Sequence, residues 1–216
     1  MDYDRFESLG DNCEFGFFLR EKKCETSSFF RWVVTSSDSL INFLDSKGEN
    51  LYAVENIYSR QFGMVFDKHT GLLFHSLLWP KESGGYVNQQ IGDNEELLRT
   101  YQLEFAKLQH QRSKFFTQLR IEKKIFVIKK NDELNPAEKK SIISALNNCS
   151  IHKESVILFV EKTADLKLIG TVSALSGNVL TGYISRFADY STADQIQTRE
   201  WESLTEVAYG RVFGKG

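Results

Sequence analysis

A cysteine set just after a glycine turn and just before a helix has the surroundings of a nucleophile. Cys13 stands in such a place within Ser8-Leu9-Gly10-Asp11-Asn12-Cys13-Glu14-Phe15-Gly16-Phe17-Phe18-Leu19-Arg20. Phe6 to Leu9 is short and partly apolar, as a strand would be, and Gly10 breaks it. Asp11 or Asn12 can cap the following helix, and Asp11-x-x-Glu14 has the form of a capping box. The unpaired N–H groups and the dipole at a helix start favour a thiolate, enough to bring a thiol from about 8.5 to about 7–8. Gly16, one turn on, removes a side chain that would cover the sulfur. Cys13, Phe17 and Arg20 share one helical stripe, so Arg20 adds positive charge to that face. The plainer alternative is a small buried apolar residue beneath a well-capped helix.

A nucleophilic cysteine needs a base, and of the four histidines only His75 lies inside a strand-like run, Leu72-Leu73-Phe74-His75-Ser76-Leu77. Bulky neighbours there would hold the ring and partly desolvate it, which suits a general base. His69, His110 and His152 sit in polar turns, helix faces or loops and read as solvated residues. If Cys13 attacks an acyl carbonyl, His75 takes the thiol proton and Asp189 or Asp132 orients the ring. N–H groups at the helix start, with the Asn12 side chain, then stabilise the oxyanion. The competing class is a binding module in which Arg20, Arg31 and Arg186 hold a glycan or phosphorylated ligand. Arg31-Trp32 and Arg186-Phe187 are cation–aromatic pairs suited to an anionic group, and either class takes a small-molecule, peptide or glycan substrate. G-x-S-x-G, Walker A and G-x-G-x-x-G patterns are absent, as is any metal-spaced cluster, so no cofactor or metal is expected.

The elements that must position these groups alternate between strand and helix. Phe29 to Val34 reads as a short strand, and Asp38 to Leu44 as a helix ending near Gly48. Gln61 to Phe66 and Leu72 to Trp79 read as a hairpin around Asp67-Lys68-His69-Thr70-Gly71, closed by Trp79-Pro80 and Gly84-Gly85. Asp93-x-x-Glu96 opens the longest helix, with Leu97, Leu98, Tyr101, Phe105, Leu108, Phe115 and Leu119 on one face. Ile125 to Ile128 is a buried strand with lysines at each end. Asn135, Pro136 and Glu138 open a helix running to about Asn147, and Ser155 to Val160 is the next strand. That strand–helix–strand unit predicts a parallel crossover. Leu166 to Leu175 and Val179 to Phe187 flank a turn at Ser176-Gly177-Asn178, and Thr198 caps a last helix with Trp201, Leu204 and Ala208 on one face. The expected fold is a single α/β domain over residues 1–216, with a mostly parallel central sheet, flanking helices and a β-hairpin insertion. Sites in such sheets form beyond the carboxyl ends of the strands, which would gather Cys13, Asp132 and Glu161, with Arg186 and Asp189 alongside.

Composition narrows the function classes. Across 216 residues, hydrophobic content is 41%, charged content 26% and net charge -2, which gives no electrostatic reason for a nucleic acid partner or an anionic membrane. No apolar run approaches a membrane span, and Met1-Asp2-Tyr3-Asp4-Arg5 lacks a signal-peptide pattern. The 3 cysteines, without C-x-x-C spacing, argue against a disulfide framework and fit a reducing cytoplasm. Seventeen phenylalanines (Phe 17) predict an aromatic core.

The run Ser8-Leu9-Gly10-Asp11-Asn12-Cys13-Glu14-Phe15-Gly16, followed by Phe30-Arg31-Trp32, resembles a bacterial family of unknown function described as papain-like cysteine peptidases. Phe74-His75, Gly182-Tyr183-Ile184-Ser185-Arg186-Phe187-Ala188, Ala193 and Trp201 look like the same family, so the resemblance spans the chain. It implies a Cys13 nucleophile and a His75 base. Papain itself puts its cysteine on a long central helix against an antiparallel barrel bearing the histidine, whereas here the cysteine follows a strand and the second half reads as parallel α/β. The Gly-x-Asn-Cys turn is also similar, more loosely, to polysaccharide-biosynthesis acetyltransferases. The family's members look like neighbours of glycosyltransferases, implying acyl transfer onto a surface glycan.

Overall fold

The computed structural model describes residues 1–60, 63–78, 87, 91 and 94–214. In chain order the elements are β1 (Phe6–Ser8), α1 (Glu14–Glu21), a 3-10 turn (Phe30–Trp32), β2 (Val33–Val34), α2 (Ser37–Asp45), β3 (Ile57–Arg60), β4 (Met64–Asp67) and β5 (Leu73–His75). Then follow α3 (Glu95–Ile121), β6 (Ile125–Lys129), α4 (Pro136–Asn148), β7 (Val156–Lys162), β8 (Val172–Ser176), β9 (Val179–Ile184) and α5 (Thr198–Phe213). They form one α/β domain around a five-stranded sheet of order β1-β6-β7-β9-β8. β1, β6, β7 and β9 run parallel, and β8 closes the edge as the antiparallel arm of a hairpin with β9. A second sheet, β2-β5-β4-β3, is antiparallel throughout.

Strand alternation explains the layering. On β6, Ile125 and Val127 face a core with Phe15 and Phe18 of α1 and Trp201, Leu204 and Ala208 of α5. Phe126 and Ile128 face the opposite core, built with Phe43 of α2, Phe115 and Leu119 of α3, Ile142 of α4 and Phe74 of the second sheet. All five β6 residues are buried, as expected of a parallel strand covered on both faces. The capping box at Asn135 and Glu138 forms, with Pro136 in the first turn of α4. The stripe on α3 packs inward at Leu97, Tyr101, Phe105 and Leu108 and is buried at Phe115 and Leu119, while Leu98 faces solvent. The expected start at Asp93, and Gln61, Trp79-Pro80 and Gly84-Gly85, lie outside the described residues; Asn94 caps α3 through Leu97 N–H.

Three expectations are corrected. Phe29 to Val34 is a 3-10 turn followed by a two-residue strand. Phe29 and Phe30 both pack on Phe43, which a strand forbids because its consecutive side chains point to opposite faces. The capping box at Asp11 and Glu14 does not form: Cys13 is the N-cap of α1, and both carboxylates are held by other partners. Thr198 is the first residue of α5 and bonds Glu21 instead of capping its own helix.

Candidate functional site

Cys13 reaches its place through a chain of close contacts. β1 delivers the chain to Gly10, whose φ of +111° only glycine tolerates comfortably; a Cβ there would come within 2.9 Å of the Thr35 side chain. Asp11 O accepts from Thr35 N–H at 2.9 Å, tying the turn to the exit of β2. Asn12 Oδ1 then accepts the Glu14 N–H at 3.0 Å, and its Nδ2 donates to Ala188 O at 3.2 Å. This turn leaves Cys13 at the head of α1, with its N–H unpaired among the described residues.

His75 arrives from the other sheet. A Cβ on Gly16 would lie 2.5 Å from Arg31 O, so α1 sits directly on the 3-10 turn. That turn feeds β2, Val33 pairs with Phe74, and His75 is the next residue. Cys13 Sγ and His75 Nε2 end 3.8 Å apart. Gly16 therefore permits the approach of two elements. The two residues that sequence pairs as nucleophile and base meet across 62 positions.

The protonation state differs from expectation. Cys13 is 6% exposed, and burial pushes its thiol up to about 11, with Lys129 and Arg20 pulling the other way. Desolvation outweighs the helix terminus, whose effect is at most about 2 kcal/mol, so the resting group is a thiol and not the expected thiolate. The ring of His75 is exposed, not desolvated, because it ends its strand at the rim of a cleft. Beyond Cys13, no side chain among the described residues hydrogen bonds it. Asp189 is exposed at the start of a short 3-10 turn, and Asp132 lines a different pocket, with Glu161, Lys130 and Lys162, beyond the ends of β6 and β7. Neither orients His75. Glu161 pairs with Lys139. The gathering of loops at the carboxyl edge is nonetheless real, since Asn131 bonds both Asp11 and Ala188.

Of the basic residues, Arg20 stays with the pair: its guanidinium lies 4.3 Å from the Trp32 ring centre beside His75. Arg31 is 3% exposed and donates to the carbonyls of Thr26, Gly16 and Cys24, a structural arginine and not a ligand holder. Arg186 is exposed beyond β9; with the Gln197 amide oxygen turned toward it, both Nε and Nη2 donate at 2.6 Å. Asn12 builds the turn: its Oδ1 accepts from Glu14 N–H and one of its two Nδ2 protons goes to Ala188 O.

Sequence reasoning missed the group behind Cys13. Glu14 and Lys129 form a fully buried ion pair at 2.9 Å, and Glu14 also accepts from Trp201 Nε1 and Ala188 N–H, both at 3.0 Å. Lys129 donates to Asn131 at 2.7 Å, and Asp11 accepts from Tyr190 OH. The available signal was a lysine ending an otherwise apolar inner strand. Also missed was the face of α3 formed by Glu104, Lys107, Leu108 and Gln111, spaced at i, i+3, i+4 and i+7. With Phe17, Trp32 and Tyr52 it walls a cleft of about 460 Å³ that opens at His75. Among the described residues no His, Cys, Asp and Glu cluster is fit to hold a metal ion, and no helix is long and apolar enough to cross a membrane. No protein-family model, curated protein or solved structure matches the chain.

Proposed function

We propose that the protein is a cysteine-nucleophile hydrolase of the peptidase or amidase kind, acting on an acyl compound seated in the cleft beside His75. The observation that carries the reading is the 3.8 Å approach of Cys13 Sγ to His75 Nε2. At pH 7 a thiol near 11 is ionised in only ~1 molecule in 10⁴, so Cys13 enters the reaction as a thiol. His75 Nε2 accepts the thiol proton as sulfur bonds the carbonyl carbon, and the Cys13 N–H stabilises the oxyanion. Collapse breaks the bond to the leaving group, which takes the proton from the imidazolium, and a thioester remains. Water then adds to the thioester carbonyl as His75 takes its proton; collapse breaks the C–S bond and releases the acid, and the imidazolium returns the proton to the Cys13 sulfur.

The burial of Cys13 supports a second reading, transfer to a bound acceptor, because a sulfur at 6% exposure meets little bulk water. A sugar hydroxyl as acceptor, in company with glycosyltransferases, is the form the looser resemblance implies. The free thiols of Cys13, Cys24 and Cys149 support a reducing compartment such as the cytoplasm.

p-Nitrophenyl acetate tests the chemistry. Wild-type protein is expected to release a burst of nitrophenolate and carry one acetyl group on Cys13 by mass spectrometry. Cys13→Ser abolishes that adduct, and His75→Ala slows the burst by roughly 10²-fold or more, the usual worth of a general base. An unchanged burst in His75→Ala would overturn the assignment.

A further inference from the structure

The cleft has a chemical character of its own. Its accessible rings are Phe17 and Trp32, with Tyr52 and Phe74 buried behind its lining, and its charged groups are Arg20, Lys107 and Glu104. Glu104 is fully committed: its carboxylate accepts from Tyr52 OH at 2.8 Å, Ser76 Oγ at 2.7 Å and Leu77 N–H at 2.8 Å. Arg20 and Lys107 are exposed, and neither has a carboxylate partner among the described residues. Arg20 is nevertheless placed, its guanidinium carbon over the Trp32 ring at 4.3 Å and 5.5 Å from the Phe17 ring centre, which keeps its charge at the aromatic lining. An aromatic slot with a guanidinium and a free ammonium at its mouth is complementary to a flat apolar body bearing an anionic group.

We propose that the cleft selects small anionic acyl compounds, with an aromatic or similarly flat apolar body lying against Phe17 and Trp32 and a carboxylate held by Arg20 and Lys107. The size agrees: about 460 Å³ falls in the roughly 300–1,000 Å³ of small-molecule sites. Selection of the substrate class rests on the reading of Cys13 and His75 as the reacting pair; binding to the slot does not.

Titration calorimetry with 2-naphthoate, 2-naphthylmethylamine and neutral 2-naphthylmethanol separates the two. The full chain and Cys13→Ser are both expected to bind 2-naphthoate about tenfold more tightly than the amine. Arg20→Gln and Lys107→Gln each weaken the anion about threefold and together about tenfold, with the alcohol unchanged. Equal affinity for the anion and the amine, an unchanged Kd in the double variant, or no heat from any probe overturns the proposal. Charge-selective binding without a burst from p-nitrophenyl acetate would leave the anion slot standing and remove the acyl chemistry.

Discussion

At the scale of residues, Cys13 is a buried thiol with the His75 ring 3.8 Å from its sulfur. Its pKa rises from 9.0 to about 11 in the folded protein. Between those values the native state keeps a proton that the unfolded chain has released. Stability is therefore full below pH 9 and falls as pH climbs to about 11, by at most ~3 kcal/mol. Tyr52 and Tyr190, raised by burial, add a loss above pH 10. Urea unfolding of wild type and Cys13→Ala from pH 8 to 10 isolates the thiol, because the variant should decline less steeply; parallel curves would contradict its desolvation. Cys24 and Cys149 are raised by burial as well, but their sulfurs face the Asp4 carboxylate and the Leu44 carbonyl instead of an imidazole. Iodoacetamide near pH 7 should accordingly modify Cys13 first in the native protein, and that preference should vanish in His75→Ala. Preferential labelling of Cys24 would argue against His75 as the distinguishing feature.

At the scale of elements, the Cys13–His75 distance is set by how closely α1 lies on the 3-10 turn Phe30–Trp32. Gly16→Ala would force a methyl group to within 2.5 Å of a backbone carbonyl, which cannot rotate away. Overpacking of this kind costs ~1–3 kcal/mol, and the expected result is a lower Tm together with a weaker nitrophenolate burst. A burst that survives undiminished would separate the helix position from the chemistry. Arg31 stitches the same junction through three carbonyls. Arg31→Met should cost about 3 kcal/mol by leaving them unpaired in the interior, seen as a lower urea midpoint. A stable Arg31→Met variant with altered ligand affinity would instead restore Arg31 to the binding residues.

For the molecule as a whole, the Glu14–Lys129 pair joins α1 to the inner strand β6 and, through Trp201, to α5. Both side chains are fully buried, so removing one partner strands a charge. Glu14→Gln should destabilise by ~3–5 kcal/mol. The double variant Glu14→Gln with Lys129→Met should recover a good part of that, as chemical denaturation would register. Failure of the second change to restore stability would mean that the Trp201 and Ala188 hydrogen bonds to Glu14, more than its charge, hold the C-terminal helix.

Local pattern determined much of this protein. The alternation of strand and helix, the lysine-bounded strand at 125–128 and the Asn135–Pro136 helix start led directly to a mostly parallel sheet, because these signals depend on neighbouring residues alone. The same kind of reading singled out Cys13 and His75 by type and setting. Tertiary packing decided what local pattern does not encode. It folded Phe29–Trp32 into a turn, since two adjacent phenylalanines serve one core. It drew Arg31 inward and gave Asp11 and Glu14 to partners far along the chain instead of to the helix cap. It set α3 across the cleft, adding Lys107 to Arg20. It also fixed the charge state of Cys13, because desolvation is a property of everything packed around a thiol and the helix-terminus effect belongs only to its own few residues.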